Sequence, residues 1–330
     1  MRPFHYERAA DGQSAINAFQ AGSSYVGGGT TLIDLMKLDV MRPAQVVDIS
    51  SLANSPLADI QFGDDGLRLG AFASMAKAAD HPDVIANYPM IAQALQLAAS
   101  AQIRNMALLG GNVLQRTRCT YFRDTSYANC NKRNPGAGCA AMDGINRRHA
   151  VLGTSDKCIA TYPGDFAQAL MALDAQVEVM GKNGSRKIPF AALHRPPGDT
   201  PNVEHTLAPG ELITAFDIAA APWARRSLYL KIRDRQSYEF ALASAAVALD
   251  MDGSKVRQAR IALGGVATTP WRASAAEAKL IGQPVDDATL NAAAEAAFEQ
   301  AKPREHNAFK VKLGKLTMIR AVRQAAAMEL

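Results

Sequence analysis

The sequence predicts an α+β protein of two domains, and three observations support this prediction. Its 330 residues suffice for two domains, and a composition of 48% hydrophobic and 20% charged residues is typical of globular proteins. Near the N-terminus, a glycine run separates a short strand from a helical turn. In the last third of the chain, three long strand-like segments precede three helical segments, an order typical of an α+β domain.

The individual elements follow from hydrophobic periodicity and from helix-capping residues. In the first half we expect strand 4–9, helix 11–22, strand 44–50, strand 67–72 and helix 90–103. In the second half we expect helix 166–174, strand 175–181, strands 227–234, 240–253 and 256–267, and helices 272–282, 287–301 and 307–328. The last helix is basic and is expected to be an amphipathic surface helix. The Ala-Pro-Trp stretch at 221–223 is the expected domain boundary.

Several classes of protein are disfavoured by what the sequence lacks. No apolar run approaches the roughly 20 residues that span a membrane. The first residues, MRPFHYERAADG, have neither the apolar core nor the cleavage site of a secretory signal. The six histidines form no metal-binding pair, and no nucleophile–base pair stands out. His149, beside Arg147 and Arg148, is expected at the surface, and a position near a cluster bound by the cysteines is the alternative. We therefore expect the chemistry to belong to bound cofactors.

The net charge of +5 is unevenly distributed along the chain. Residues 101–150 carry +6, residues 301–330 carry +5, and the rest of the chain carries −6. A basic patch by itself indicates nucleic acid or another anionic partner. All four cysteines lie in or beside the first basic segment, at Cys119, Cys130, Cys139 and Cys158.

The spacing of these cysteines leaves four interpretations open. Structural zinc usually requires two closely spaced cysteine pairs, which this chain lacks. Disulfides are typical of small secreted domains, and unrelated buried thiols would be spread through the core. An iron–sulfur cluster tolerates irregular spacing when four thiolates converge from a loop. The intervening segment is rich in Gly, Asn, Asp and Pro, which indicates such a loop.

The glycine run Gly27-Gly28-Gly29-Thr30-Thr31 is neither a Rossmann fingerprint nor a Walker loop, because it lacks the required spacing and the lysine. It is either a tight turn or a cradle in which backbone N–H groups bind a phosphate. A second turn, Gly110-Gly111-Asn112, favours a two-sided clamp around an extended ligand.

Several motifs resemble those of a known family. VGGGTTLIDLMK at 26–37 resembles the pyrophosphate loop of the flavin subunits of molybdenum hydroxylases, and IRNMALLGGNV at 103–113 resembles their second flavin motif. YPGDFAQALMALDA, PGELITAFDI, YLKIRDRQSYEFALAS and IALGGVATTPWRA match in the same order. The Cys-rich stretch 115–144 is similar to an insertion in flavin subunits of bacterial periplasmic aldehyde oxidoreductases, which binds one 4Fe–4S cluster.

The resemblance implies a fold, a set of domains and two cofactors. A vanillyl-alcohol-oxidase (PCMH)-type FAD-binding domain would span 1–224, with subdomains at about 1–55 and 56–224, and an α+β C-terminal domain would span 225–330. The insertion would occupy 115–158, where Cys119, Cys130, Cys139 and Cys158 would ligate the 4Fe–4S cluster. The +6 segment would compensate two anions, the cluster and the FAD pyrophosphate.

The resemblance also implies the residues that bind FAD. They are Val26, Gly27, Gly28, Gly29, Thr30, Thr31, Leu32 and Ile33 around the pyrophosphate, and Leu108, Gly111, Asn112, Asp165, Ile213 and Lys231 elsewhere. Leu108 would contribute only its backbone, since many relatives have Ser or Thr there. Asp165 would bind a ribose or ribityl hydroxyl, although Gly164 replaces the usual serine. Ile213 would pack on adenine or isoalloxazine, or else serve only as a strand core residue. Lys231 would lie near the flavin ring and favour reduced, anionic flavin.

The implied function is electron transfer within a molybdenum-dependent aldehyde oxidoreductase. A large subunit with the molybdenum cofactor would oxidise the aldehyde, and a small subunit with 2Fe–2S clusters would pass electrons to FAD and onward to an external acceptor. Export with a signal-bearing partner subunit would place this heterotrimer in the periplasm; the alternative is the cytoplasm. Within the family, complexes like 4-hydroxybenzoyl-CoA reductase, whose flavin subunit also carries a cluster insertion, or like xanthine dehydrogenase are alternatives. From other classes, a zinc-stabilised nucleic-acid-binding protein and a self-contained flavin oxidase remain.

Overall fold

The computed structural model, which describes all 330 residues, begins with a three-stranded parallel sheet. Its strand order is β1-β3-β2, with β1 at His5–Arg8, β2 at Ser23–Val26 and β3 at Gln45–Asp48. Two helices connect these strands, α1 at Gly12–Ala18 and α2 at Leu32–Lys37. Asp11 caps α1 as predicted, because its side chain accepts a hydrogen bond from the N–H of Ser14. The glycine run lies directly between β2 and α2.

A five-stranded antiparallel sheet forms the middle of the molecule, in the order β4-β5-β8-β6-β7. Its strands are β4 (Ile60–Gly63), β5 (Gly66–Gly70), β6 (Gln176–Gly181), β7 (Gly184–Pro189) and β8 (Leu212–Ala219). The helices of this region are α3 (Met75–Ala79), α4 (Pro82–Asn87), α5 (Pro89–Gln96), α6 (Ala101–Met106), α7 (Leu109–Val113), α8 (Thr120–Arg123) and α9 (Phe166–Ala172).

The single helix predicted over 90–103 is instead the pair α5 and α6. Ala99 lies between them with φ of +49°, a left-handed conformation that a right-handed helix cannot include. Ser100 then caps α6 by accepting a hydrogen bond from the N–H of Ile103. The hydrophobic periodicity continues across this break, so the sequence pattern predicted one continuous helix.

The Cys-rich segment between α7 and α9 is mostly irregular, as its composition predicted. The short helix α8 follows Cys119, and an isolated antiparallel bridge pairs Cys130 with Cys139. The segment therefore obtains its shape from turns and from contacts with the rest of the chain.

A four-stranded antiparallel sheet, β12-β11-β10-β9, supports the last third of the chain. Its elements are β9 (Ser227–Ile232), β10 (Ala243–Asp252), β11 (Lys255–Gly264), β12 (Trp271–Arg272), α10 (Ser274–Leu280), α11 (Asp287–Phe298) and α12 (Phe309–Ala326). Side chains of β10 alternate between two cores. Ala246 and Ala248 join the larger core, which includes α5 and α9, whereas Val247 and Leu249 pack with α10, α11 and α12. The predicted boundary at residues 224 and 225 falls in the turn Pro222–Arg225 between β8 and β9.

The basic helix α12 is more deeply packed than a simple surface helix. Its Lys310 is fully buried, and the ammonium donates a hydrogen bond to the carbonyl oxygen of Gly265 at 2.7 Å. Burial, reinforced by Arg147 and Arg148, lowers the pKa of Lys310 to about 7. None of the helices combines the length and the hydrophobicity that crossing a membrane requires.

Candidate functional site

The two glycine motifs lie against each other, although a long stretch of chain separates them. A Cβ atom on Gly28 would lie 1.8 Å from the carbonyl oxygen of Met106. A Cβ atom on Gly27 would lie 2.8 Å from Cδ1 of Leu108. Gly29 has φ of +73°, which side chains disfavour. Close packing of the two motifs therefore requires glycine at 27 and 28, and the left-handed backbone favours glycine at 29.

The backbone of the first motif presents a run of unpaired donors. From Gly27 to Leu32, no backbone N–H donates a hydrogen bond to any acceptor in the chain. Helical bonding begins at Ile33, whose N–H donates to the carbonyl oxygen of Gly29 at 3.3 Å. A run of free backbone N–H groups in a turn is a typical anion-binding feature. Thr30 and Thr31 add two hydroxyl groups to this loop.

The side chains flanking these donors have different surroundings. Val26 and Leu32 are buried in a small core with Met36 and Val46, so they support the loop from beneath. Ile33 points the other way and leaves 41% of its surface exposed. The residues predicted to bind the pyrophosphate would therefore contact a ligand mainly through their backbone N–H groups.

The second motif also presents unsatisfied polar groups. The N–H of Gly111 has no acceptor, and a Cβ atom on this residue would meet nothing within 4 Å. The side-chain oxygen Oδ1 of Asn112 is buried without a hydrogen-bond partner. Buried polar atoms normally have hydrogen-bond partners. An unpaired oxygen on Asn112, next to the empty space at Gly111, therefore indicates room for a ligand. Leu108 itself pairs through its backbone with Ser74.

Asp165 and Lys231, which were predicted to contact the cofactor, contact each other. Lys231 Nζ lies 2.8 Å from Asp165 Oδ2, and the Tyr229 hydroxyl donates to Asp165 Oδ1 at 2.6 Å. Lys231 also donates to the carbonyl oxygen of Leu97 at 3.1 Å. Each carboxylate oxygen therefore accepts from one protein donor. Ile213 is a buried residue of β8 in the larger core, and Gly110 of the second motif lies next to it.

All four cysteines line one cavity of the insertion, together with Tyr121, Phe122, Asn129, Asn131, Lys132, Ala141, Lys157 and Ala160. Cys130 and Cys158 are buried, Cys119 and Cys139 are partly buried, and all four are free thiols. No group of three or more His, Cys, Asp or Glu side chains is arranged to hold a metal ion. The thiols thus converge on a common space, but their spacing is not that of a closed single-ion site such as structural zinc.

One backbone N–H is directed at these sulfur atoms, that of Ala160, which donates to the sulfur of Cys158 at 3.4 Å. Burial raises the pKa of Cys119 to about 12 and that of Cys158 to about 11, whereas the charge of Lys132 and the Ala160 N–H act on Cys158 in the opposite direction. Cys158 therefore has a donor and a nearby cation suited to a thiolate that a metal centre would keep deprotonated.

His149 is buried inside the insertion with only 5% of it exposed, so its expected surface position is wrong and the alternative position beside the cysteines holds. Its Nε2 is 3.1 Å from the sulfur of Cys119. Burial and, after it, the charge of Lys310 lower the pKa of His149 to about 4. The backbone carbonyl oxygen of Asn146 and the buried side-chain amide of Asn307 hold its main chain.

A second cavity, of about 40 Å³, lies on the other side of Cys158. It is lined by Lys132, His194, Glu204 and His205 among others. His194 and His205 pair through their backbones, and the Nδ1 atoms of both are buried without partners. No motif in the sequence indicated that these two histidines meet.

Comparison with known proteins identifies the family. Residues 2–220 match the FAD binding domain in molybdopterin dehydrogenase, and residues 228–325 match the CO dehydrogenase flavoprotein C-terminal domain. The chain is 42% identical over 330 residues to the aldehyde oxidoreductase FAD-binding subunit PaoB of Escherichia coli (strain K12), covering 99% of both chains. This chain belongs to the FAD-binding subunits of the molybdenum hydroxylase family.

Other members of the family are similar over nearly the whole chain. The carbon monoxide dehydrogenase medium chain of Afipia carboxidovorans is 26% identical over 332 residues, covering 98% of this chain and 97% of the relative. Among solved structures, reconstituted CO dehydrogenase from Oligotropha carboxidovorans superposes with a TM-score of 0.77 at 24% identity, covering 99% of both chains. The predicted fold class, a PCMH-type FAD-binding domain followed by an α+β domain, is therefore confirmed.

The glycine motifs fit the FAD that defines these FAD-binding subunits. A pyrophosphate carries negative charge and accepts hydrogen bonds, and the unpaired N–H groups from Gly27 to Leu32 supply donors. Gly111 and Asn112 supply a free N–H and a free acceptor on the facing loop. The donor set thus matches the charge and the hydrogen-bonding groups of the cofactor.

The positive charge of the insertion in this FAD-binding subunit is balanced differently from the prediction. Its basic side chains pair with carboxylates from elsewhere in the chain: Arg118 and Arg123 with Asp34, Arg116 and Lys132 with Glu204, Arg147 with Asp234, and Arg148 with Asp234 and Glu239. Arg133 instead donates to the backbone carbonyl groups of Tyr121 and Phe122. Most of this charge is compensated by the protein itself, and it does not form the open basic surface that a nucleic acid would require.

Proposed function

We propose that this subunit carries both FAD and a 4Fe–4S cluster, and that it transfers electrons within a molybdenum-dependent aldehyde oxidoreductase. One observation carries the proposal: four thiols from an irregular insertion line a single cavity in a chain with the FAD fold. The full-length similarity to a FAD-binding subunit of an aldehyde oxidoreductase favours this substrate class over purines or aromatic thioesters.

The proposed FAD contacts come from the two glycine motifs. The amides from Gly27 to Leu32 would hold the pyrophosphate, and the motif containing Gly111 and Asn112 would close over the opposite side. When bound, FAD would supply the ability to accept electrons singly or in pairs. Asp165 already accepts from Tyr229 and Lys231, so a cofactor hydroxyl would have to donate to a lone pair that these leave free, and Lys231 already donates to Asp165 and to Leu97. We therefore assign their present role to holding the surrounding segments together.

The proposed cluster ligands are Cys119, Cys130, Cys139 and Cys158. A 4Fe–4S cluster, when bound, would supply a one-electron relay. The insertion would exclude water from the cluster, because Phe122 and Ala141 close the cavity wall and are 1% exposed. The Ala160 N–H on the Cys158 sulfur would stabilise that ligated thiolate, as such hydrogen bonds do at metal sites.

The proposed partners are a large subunit with the molybdenum cofactor, which oxidises the aldehyde, and a small subunit with 2Fe–2S clusters. Electrons would enter this chain from the small subunit and leave for an external acceptor. We further propose that the assembled heterotrimer acts in the periplasm after export with a signal-bearing partner. The similarity to an aldehyde oxidoreductase FAD-binding subunit and to a carbon monoxide dehydrogenase medium chain supports the multi-subunit assembly.

Cofactor content tests the proposal directly. We would purify the chain with its co-expressed partners, isolate it, and measure FAD, iron, acid-labile sulfide and zinc. The expected result is one FAD and about four irons and four sulfides per chain. Cys130→Ser should lower iron and sulfide, whereas Asp156→Ala, an exposed change two residues before Cys158 and outside the cavity lining, should leave both unchanged.

The other outcomes contradict specific parts of the proposal. Full iron content in Cys130→Ser would exclude the cluster assignment. Zinc without flavin colour, together with steeply salt-dependent DNA binding, would favour the zinc-stabilised nucleic-acid-binding protein. Flavin without iron, and aldehyde oxidation by the isolated chain, would favour a self-contained flavin oxidase.

A further inference from the structure

We propose that His149 is a positioning residue that donates a hydrogen bond from Nε2 to the sulfur of Cys119 and thereby raises the reduction potential of the cluster. The inference rests on the proposed function, because Cys119 must be a cluster ligand. It adds a residue that acts on the cluster through its ligand without binding iron.

The geometry specifies the direction of this hydrogen bond. Nε2 lies 3.1 Å from the Cys119 sulfur, and the other ring nitrogen, Nδ1, is buried with no partner. A sulfur bound to iron has no proton, so it can only accept. The proton must therefore be on Nε2, and the neutral ring with Nδ1 unprotonated avoids a buried donor without an acceptor.

The fold holds His149 in place from two sides. From the insertion, the His149 N–H donates to the Asn146 carbonyl oxygen at 2.9 Å, and the Asn146 side chain donates to the carbonyl oxygen of Ala141 at 3.2 Å. From the segment before α12, the side chain of Asn307 donates to the carbonyl oxygens of His149 and Ala150 at 3.4 and 3.1 Å. Asn146 and Asn307 are 1% and 0% exposed. A histidine held this firmly can keep a fixed distance to the sulfur.

A hydrogen bond to a ligating sulfur influences the cluster potential. Reduction adds an electron that is shared with the sulfur atoms, so a donor stabilises the reduced cluster more than the oxidised one. Removing the donor should therefore shift the potential to a more negative value. Restoring a donor of another chemical type should return it toward the value of the unmodified protein.

The test is a redox titration of the purified complex, monitored by electron paramagnetic resonance of the cluster in this subunit. His149→Leu removes the donor, whereas His149→Gln places a side-chain amide N–H within reach of the sulfur. His81→Leu is the matched control, because His81 lies outside the insertion in the helical region near α4. Iron and sulfide content is measured for each protein alongside the potential.

We expect a more negative midpoint in His149→Leu and midpoints close to that of the unmodified protein in His149→Gln and His81→Leu. If His149→Leu loses its cluster but His149→Gln retains it at the original potential, the donor role also stands. An unchanged potential in His149→Leu would overturn the inference, as would equal loss of iron in both variants. The absence of any 4Fe–4S signal from the unmodified complex would instead refute the proposed function.

Discussion

The ammonium of Lys231 lies 2.8 Å from the carboxylate of Asp165, and their side chains are only 1% and 5% exposed. Tyr229 completes the group by donating its hydroxyl proton to the same carboxylate. Asp165 immediately precedes α9, whereas Lys231 and Tyr229 belong to β9. Burial, and then the carboxylate, raises the pKa of Tyr229, so its hydroxyl stays a donor. This buried ion pair therefore joins the FAD-binding region to the first strand of the last third of the chain.

Breaking this ion pair should destabilise the protein strongly. Asp165→Asn should lower the free energy of unfolding by about 3–5 kcal/mol, because it leaves the Lys231 ammonium buried without a counter-charge. The double variant Asp165→Asn with Lys231→Met should recover part of this loss, since no unpaired charge remains. Urea unfolding of the three proteins measures both effects. A stable Asp165→Asn protein with weakened FAD binding would show instead that the carboxylate serves the cofactor.

Adding a methyl group at Gly111 should impair FAD binding without harming the fold. No protein atom would lie within 4 Å of the new Cβ, and Gly111 lies within the short helix α7, so the apoprotein should be as stable as before or slightly more so. The methyl group would project from the open face that carries the free N–H, and we expect FAD affinity to fall at least about tenfold, roughly 1.4 kcal/mol.

Flavin fluorescence on dilution and thermal unfolding of the apoprotein separate these two effects. Gly63→Ala is the matched control, because this glycine also has no neighbour within 4 Å and lies in β4, away from both motifs. It should bind FAD normally. Unchanged FAD affinity in Gly111→Ala would remove this residue from the binding site.

Glu204 should be essential for holding the Cys-rich insertion against the rest of the chain. It pairs with both Arg116 and Lys132, with Lys132 Nζ at 2.8 Å from Oε1. These two cations keep the pKa of Glu204 low although burial opposes this. Glu204→Gln leaves two partly buried cations without a counter-charge, and with a quarter of the Glu204 side chain exposed we expect a loss of about 2 kcal/mol in unfolding free energy.

Limited proteolysis should report where that loss acts. In Glu204→Gln, cleavage within 115–158 should accelerate, and iron should be released faster on dilution. Glu305→Gln, an exposed change with no ion pair, should resemble the unmodified protein. Equal protease resistance in both variants would show that Glu204 does not hold the insertion in place.

Stability should decrease as the pH is lowered, because His194 is buried as the neutral ring. Its Nε2 is 2.9 Å from the carbonyl oxygen of Val113, and burial lowers its pKa to about 4. Between about pH 6.5 and pH 4 the unfolded chain binds a proton that the folded chain does not. The free energy of unfolding should therefore decrease as the pH falls through this window, by about 3 kcal/mol in total from this group.

The variant His194→Gln removes this titration and can still donate a hydrogen bond to Val113. Urea unfolding at pH 7 and at pH 5 should show a smaller pH effect in His194→Gln than in the unmodified protein. His81→Gln, a change near the surface, should retain the original pH effect. If all three proteins respond equally, another group controls the acid sensitivity.

Sequence reasoning predicted the features that are local. Asp11 was expected to cap a helix, and the alternating and helical patterns placed most elements within a few residues of their observed bounds. It missed the break at Ala99, because hydrophobic periodicity continues across a residue whose backbone alone departs from the helix. The glycine and cysteine motifs were recognisable because their residue types have few alternative uses.

Long-range pairing could not be predicted in the same way. Nothing near Glu204 or Asp34 indicates that each neutralises two cations of a distant loop. The burial of His149 and Lys310 depends on Asn307, Asn146 and Gly265, which meet them only in the folded chain. The charge of the insertion was therefore assigned to bound anions, whereas carboxylates on other elements balance most of it.

The attachments of the Cys-rich insertion limit how it can be transferred between proteins. Its basic side chains reach Asp34 on α2, Glu204 before β8, and Asp234 after β9, and its Asn146 bonds the main chain before α12. A relative given only residues 115–158 would receive eight basic side chains, six of which would lack the carboxylates that they pair with here. Grafting a second redox centre onto a simpler flavin subunit would thus require simultaneous changes in at least three other parts of the host.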